Sequence, residues 1–168
     1  MEWKKLGQFF VPDSDSVYTH AMFPIVEIID ESQGSIRVYY THRDQENYGF
    51  PSYLEATISG ENHQVVYNHD KPIIAHATLG HFDDSGINPT SIVKTEQATL
   101  LYYYGWNLGV TVPFRNSIGA AKQDKGSVFF NRLFPGPLLD RSKDYPTLCA
   151  PPYVLLENNP FQLWFASG

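Results

Sequence analysis

Two stretches of this chain repeat each other at a spacing of 65 residues, and that repeat limits the fold more than any other feature. Pro24-Ile25-Val26-Glu27-Ile28-Ile29 is followed by a polar turn and then by Arg37-Val38-Tyr39-Tyr40-Thr41. At the repeat distance, Pro89-Thr90-Ser91-Ile92-Val93 is followed by another polar turn and Leu101-Tyr102-Tyr103-Tyr104-Gly105. The same offset lays Tyr53-Leu54-Glu55-Ala56 over Ile118-Gly119-Ala120-Ala121, and Lys71-Pro72-Ile73-Ile74 over Gly136-Pro137-Leu138-Leu139. A third copy opens at Pro152-Tyr153-Val154-Leu155-Leu156 and continues to Phe161-Gln162-Leu163-Trp164-Phe165, close to Gly168.

Each full copy reads as four strands, near 24–30, 36–42, 52–58 and 64–68 in the first and 89–94, 99–104, 117–122 and 127–132 in the second. Asp30-Glu31-Ser32-Gln33-Gly34 and Asp124-Lys125-Gly126 are hairpin turns with a glycine able to take positive φ. No long apolar pattern of period 3.6 exists, so no substantial helix is expected. Aromatic residues make up 15% of the chain, which favours pleated, half-buried strands, and the twelve glycines and twelve prolines suit frequent turns. The expectation is an all-β domain over residues 1–168, with units at about 24–88 and 89–151 and an incomplete unit at 152–168. A four-stranded unit recurring every ~60 residues is the pattern of a β-propeller blade. Two similar sheets in a sandwich are the alternative.

The formal net charge of −6, with no run of Lys or Arg, excludes a nucleic-acid footprint. No segment has the ~20 apolar residues needed to span a bilayer as a helix, and the first residues lack a signal-peptide core. The expected location is cytoplasmic, with no membrane partner. The single cysteine, Cys149, excludes an internal disulfide and reads as a small buried hydrophobe. No His/Asp spacing suggests a metal, and no cofactor is expected.

Strand alternation sorts the connections. Those from a second to a third strand, and from a fourth strand to the next unit, fall on one end of the domain. That end receives His20, Arg43, Asp44, His81, Asp83, Asp84, Trp106, Asn107, Arg115 and Arg141, several of them on a long loop from Gly105 to Asn116. Carboxylates, planar donors and an aromatic ring suit a sugar, whose hydroxyls need hydrogen bonds and whose apolar face packs on a ring. Asp44, Asp83 and Asp84 are the candidate catalytic groups; the other seven are candidate substrate-binding groups. Each also has a structural reading: Arg43 pairing with Asp44, Asp83 or Asp84 holding the turn before Gly86, and hydrogen-bonded structural histidines at positions 20 and 81.

Several motifs carry a family resemblance. His20-Ala21-Met22-Phe23-Pro24, Ser35 through Asp44, Gly80-His81-Phe82-Asp83-Asp84-Ser85-Gly86-Ile87-Asn88-Pro89, Tyr102 through Asn107, Arg115 through Ala121 and Leu163 through Gly168 resemble the five-bladed propeller superfamily of arabinanases, xylosidases, levansucrases and invertases. The nearest resemblance is to its glycosidase-like members without an assigned activity. The resemblance implies a partial five-bladed propeller and a glycoside ligand at the propeller funnel. In the arabinanase and xylosidase branch, the catalytic carboxylates open the first three blades. The matching positions here are Phe23, Asn88 and Ala150, so that catalytic set does not carry over.

The resulting expectation is a glycosidase-like protein that acts on or binds a glycoside but turns over little or nothing as this chain. Two alternatives are a non-catalytic carbohydrate-binding propeller and a glycoside phosphorylase-like protein, with Arg43, Arg115 and Arg141 as its phosphate ligands. Two units and part of a third would leave the end units' apolar faces bare, so a homo-oligomer or a missing C-terminal part is expected.

Overall fold

The computed structural model describes residues 2–13, 16–157 and 160–168. Among them are ten strands and no helix: β1 (Thr19–Asp30), β2 (Ser35–Arg43), β3 (Gly49–Ser59), β4 (Asn62–Asn68), β5 (Gly86–Lys94), β6 (Thr99–Leu108), β7 (Phe114–Gln123), β8 (Phe130–Arg132), β9 (Cys149–Leu156) and β10 (Phe161–Ser167). Strands β1 to β4 pair antiparallel in chain order, and so do β5 to β8. A parallel bridge from Gly49 to Gly86 joins the two arrays, a second from Ile74 to Phe130 links the segment after β4 to β8, and β9 with β10 forms a separate hairpin. The fold is therefore all-β, in one eight-stranded sheet and one two-stranded sheet among the described residues.

The 65-residue offset holds residue for residue in each central hairpin. Tyr39 faces Tyr53 in the first array and Tyr104 faces Ile118 in the second. It drifts by a position in the flanking pairs, where a bulge at Pro89/Ser91 shifts β5 against β6. The segments after each fourth strand return to the third strand of their own unit. Ile73 N–H donates to Pro51 O, and Leu138 N–H to Ile118 O.

Side-chain alternation makes each unit two-faced. Along β6, Leu101 and Tyr103 join Tyr39, Tyr53, Ile73, Ile74 and Phe130 in a core between the first two arrays. The intervening Tyr102 packs the other way, with Val93, Ala120 and Val154, against the β9–β10 hairpin. The units thus stack face to face, and each buried large apolar side chain contributes ~1.5–3 kcal/mol to that stacking. Their first strands lie side by side. Lys94 on β5 reaches Glu27 on β1 at 2.7 Å, and Ser91 on β5 exchanges hydrogen bonds with Val154 on β9.

Four expectations need correction. β8 covers only Phe130–Arg132 rather than 127–132, because the Ser127 hydroxyl and Phe129 backbone bond each other and compete with the ladder. The third unit's strand begins at Cys149 rather than near Pro152. The loop expected from Gly105 to Asn116 shrinks to 109–113, since the β6–β7 ladder continues out to Leu108 and Phe114. Finally, the outer face of the first unit is covered in part, with Val26 and Ile28 of β1 left exposed. The N-terminal segment lies over it: Phe9 stacks on His63 with centroids 4.5 Å apart, and Phe10 and Phe9 pack on the cluster of Ile36, Val38, Tyr40 and Leu54.

Candidate functional site

The backbone brings the expected end of the domain together. Gly49 N–H donates to Ser85 O, Ser85 N–H to Trp106 O, and the Asn107 amide to His81 O. Gly86 has no room for a side chain, because a Cβ there would sit 2.4 Å from Trp106 Nε1. This close approach fixes the indole against the bridge that joins the two arrays.

The three candidate carboxylates serve the backbone and the core. One oxygen of Asp44 accepts the N–H groups of Glu46 and Tyr48, each at 2.9 Å, and so holds the β2–β3 turn. Asp84 accepts the Gly80 N–H at 2.7 Å and the Ser85 hydroxyl at 2.9 Å, which closes the turn before β5. The Asp83 side chain is fully buried. Its Oδ2 accepts from Arg132 Nε at 2.8 Å and from the Tyr103 hydroxyl at 3.1 Å. Burial, and then the Asp83 charge, push the Tyr103 hydroxyl far above the usual phenol range. None of the three lines the two clefts that hold most of the other candidates.

Those clefts lie on opposite faces of the β6–β7 hairpin. Trp106 pairs with Asn116 in the ladder, and both line a cleft of about 180 Å³ between the first two units. The next pair, Asn107 with Arg115, points to the other face and lines a cleft of about 400 Å³. In the inter-unit cleft the Arg43 guanidinium stands 5.5 Å from the Trp106 ring centroid, a cation–π arrangement. Asn88, Tyr104, Phe114 and Phe23 complete its wall, with Phe23 edge-on to Tyr104 at 5.8 Å. Phe23 and His20 both take positive φ, 54° and 63°, which is uncommon for such side chains and marks an irregular entry into β1. Two breaks in the β1–β2 register fall in the same stretch.

The larger cleft holds His81, Asn107, Arg115 and Arg141 of the expected residues, together with Ser117 and Asp140. Asp140 Oδ1 accepts the Ser117 hydroxyl and the Arg141 N–H, both at 2.7 Å. His20 lies apart. Its Nδ1 is 2.7 Å from the Thr19 hydroxyl, and it lines a cavity of about 30 Å³ with Tyr18, Tyr40, His42 and Asn68. Asn88 enters the sequence reading only as a position matching a family carboxylate, and Asn116, Asp140 and His42 are not among the candidates. Alternation from Trp106 and Arg115 would have placed Asn116; nothing in the sequence distinguishes His42. Among the described residues, no three His, Cys, Asp or Glu side chains gather in a way that could hold a metal ion. Nor is there a helix long and apolar enough to cross a membrane.

No protein-family model matches the chain. An uncharacterized protein of Mycobacterium tuberculosis, present in two strains as MT1551 and Rv1502, is 32% identical over 173 residues. The match takes in 100% of this chain and 56% of each relative, so the chain spans about half the length of the curated relatives it matches.

Proposed function

We propose that this chain is part of a five-unit propeller and binds a glycoside in the cleft between its first two units. The observation that carries the reading is the lining of that cleft: the Trp106 ring with Arg43 over it, flanked by the amides of Asn88 and Asn116. Rings and planar amides are what a sugar's apolar face and hydroxyls require. The ring architecture is supported by the side-by-side first strands and by the face-to-face stacking of successive units. It is supported also by the relatives, which at 173 residues for 56% of their length run to about 300 residues, room for five units of ~60.

Binding without hydrolysis is the favoured outcome for this chain. Glycoside hydrolysis needs two carboxylates facing the bond, about 5–10 Å apart. By the resemblance, Phe23 and Asn88 take the positions of such groups in the arabinanase and xylosidase branch, and among the described residues the cleft lining contains no carboxylate. The test is saturation-transfer NMR with methyl arabinofuranoside, xyloside and fructoside, alongside their chromogenic counterparts. Binding that is weakened about tenfold by Asn88→Ala or Arg43→Ala, with no release of chromophore, is the expected result. Efficient turnover, or binding indifferent to both substitutions, would overturn the reading.

A further inference from the structure

We propose that the larger cleft, on the opposite face of the β6–β7 hairpin, is a second site that binds the anionic group of a small hydroxylated ligand. The cleft is built from three segments far apart in sequence: the crossover around His81, the Asn107–Arg115 rung of the hairpin, and the return segment ending at Asp140 and Arg141. Its two arginines have no carboxylate partner among the described residues, whereas Lys4, Arg37, Lys94, Lys122, Arg132 and Lys143 are each paired with one. Two unpaired guanidinium groups in one concavity offer forks that match a phosphoryl or carboxyl group.

The remaining chemistry argues for more than a bare ion. At about 400 Å³ the cleft is several times larger than a phosphate needs. Asp140 sits in the same wall with Oδ1 already taken by Ser117 and the Arg141 N–H. Its charge offsets one arginine, leaving a net charge of about one positive unit, and its second oxygen is an acceptor suited to a hydroxyl. Asn107, whose amide nitrogen is held by His81 O, presents a positioned amide beside it. A monosaccharide carrying one anionic group, either a phosphate ester or a uronate, fits this inventory. The site is independent of the inter-unit cleft, because Arg115 and Asn107 alternate away from Trp106 and Asn116 on their strands.

The experiment is a ¹H–¹⁵N chemical-shift titration of the full chain at low salt with four probes: inorganic phosphate, glucose 1-phosphate, glucuronate and glucose. The expected result is movement of the Asn107, Ser117 and Arg141 amides with at least one sugar-based anion, and weaker or no movement with glucose. Glucose 1-phosphate ahead of glucuronate identifies a phosphoryl ligand, and the reverse order a carboxyl ligand. Arg115→Gln and Arg141→Gln, both at exposed positions, should each weaken the binding about tenfold, consistent with loss of a charge-assisted hydrogen bond. Raising the salt should weaken it further. Three results would overturn the proposal: no movement of these amides with any anion, equal movement with glucose, or affinity unchanged in both arginine variants. Failure here leaves the glycoside reading of the other cleft untouched, since that is read from Asn88 and Arg43.

Discussion

His42 should make this protein acid-sensitive in a measurable and removable way. Its ring is buried, stacked on Tyr18 with centroids 4.1 Å apart and bordered edge-on by Tyr40 and Phe50. Neither ring nitrogen has a hydrogen-bond partner among the described residues. Burial in this aromatic cage lowers its pKa to about 4, against an opposing pull from Asp44 and with a further push down from His69. The folded state therefore favours the neutral ring, while the unfolded chain takes up the proton near pH 6.5. Between those values the unfolded state binds more protons, so stability falls as the pH drops from about 6.5 towards 4 and levels off below. At pH 4.5 the linkage amounts to roughly 2–3 kcal/mol. The assay is urea unfolding of the wild type and of His42→Phe from pH 7.5 to 4.5. Carboxylates titrate in both proteins, so the difference between them isolates the histidine. At pH 7.5 the two should be of similar stability, because phenylalanine fills the cage without a buried nitrogen to satisfy. By pH 4.5 the variant should be the more stable by the amount above. Parallel pH profiles would refute the argument, and with it the burial assigned to this ring.

Two further outcomes follow from the same contacts. Removing the cation from Asp83 by Arg132→Met should cost about 3–5 kcal/mol in urea unfolding, because a fully buried carboxylate loses its ion-pair partner, and adding Asp83→Asn should recover part of that loss. A cost under ~1 kcal/mol would show that Asp83 is not held as described. Sedimentation velocity at micromolar concentration should show self-association through the exposed apolar residues of the end units, Val26 and Ile28 on β1 and Tyr153 and Trp164 on the β9–β10 hairpin. Val26→Lys combined with Ile28→Lys should shift it towards monomer, and a monomeric wild type would remove the case for a covered face.

The repeat was legible because it is written in the central hairpins, where register is fixed by side chains on both faces. Leu101 and Tyr103 face one neighbour and Tyr102 the other, so a slip of one residue would invert both cores. Such double constraint preserves the spacing of Tyr39 to Tyr53 in Tyr104 to Ile118. Where only one side is constrained, the sequence says less. Nothing in Thr19 to Pro24 signals that His20 and Phe23 take positive φ, since neither is a glycine and the irregularity is imposed by pairing with Arg43 and Thr41 across the register breaks. The site was obscured for a related reason. Gly105 reads as the end of a strand, which placed Trp106, Asn107 and Arg115 together on one loop. In the structure the glycine is there for close approach, because a Cβ at Gly105 would lie 2.3 Å from the Cβ of Asp83. The strand runs on past it, and alternation then sends Trp106 and Asn107 to opposite faces. The reading of one glycine is thus the difference between a single loop holding Trp106, Asn107 and Arg115 and two clefts, one walled by an indole and amides, the other by two arginines.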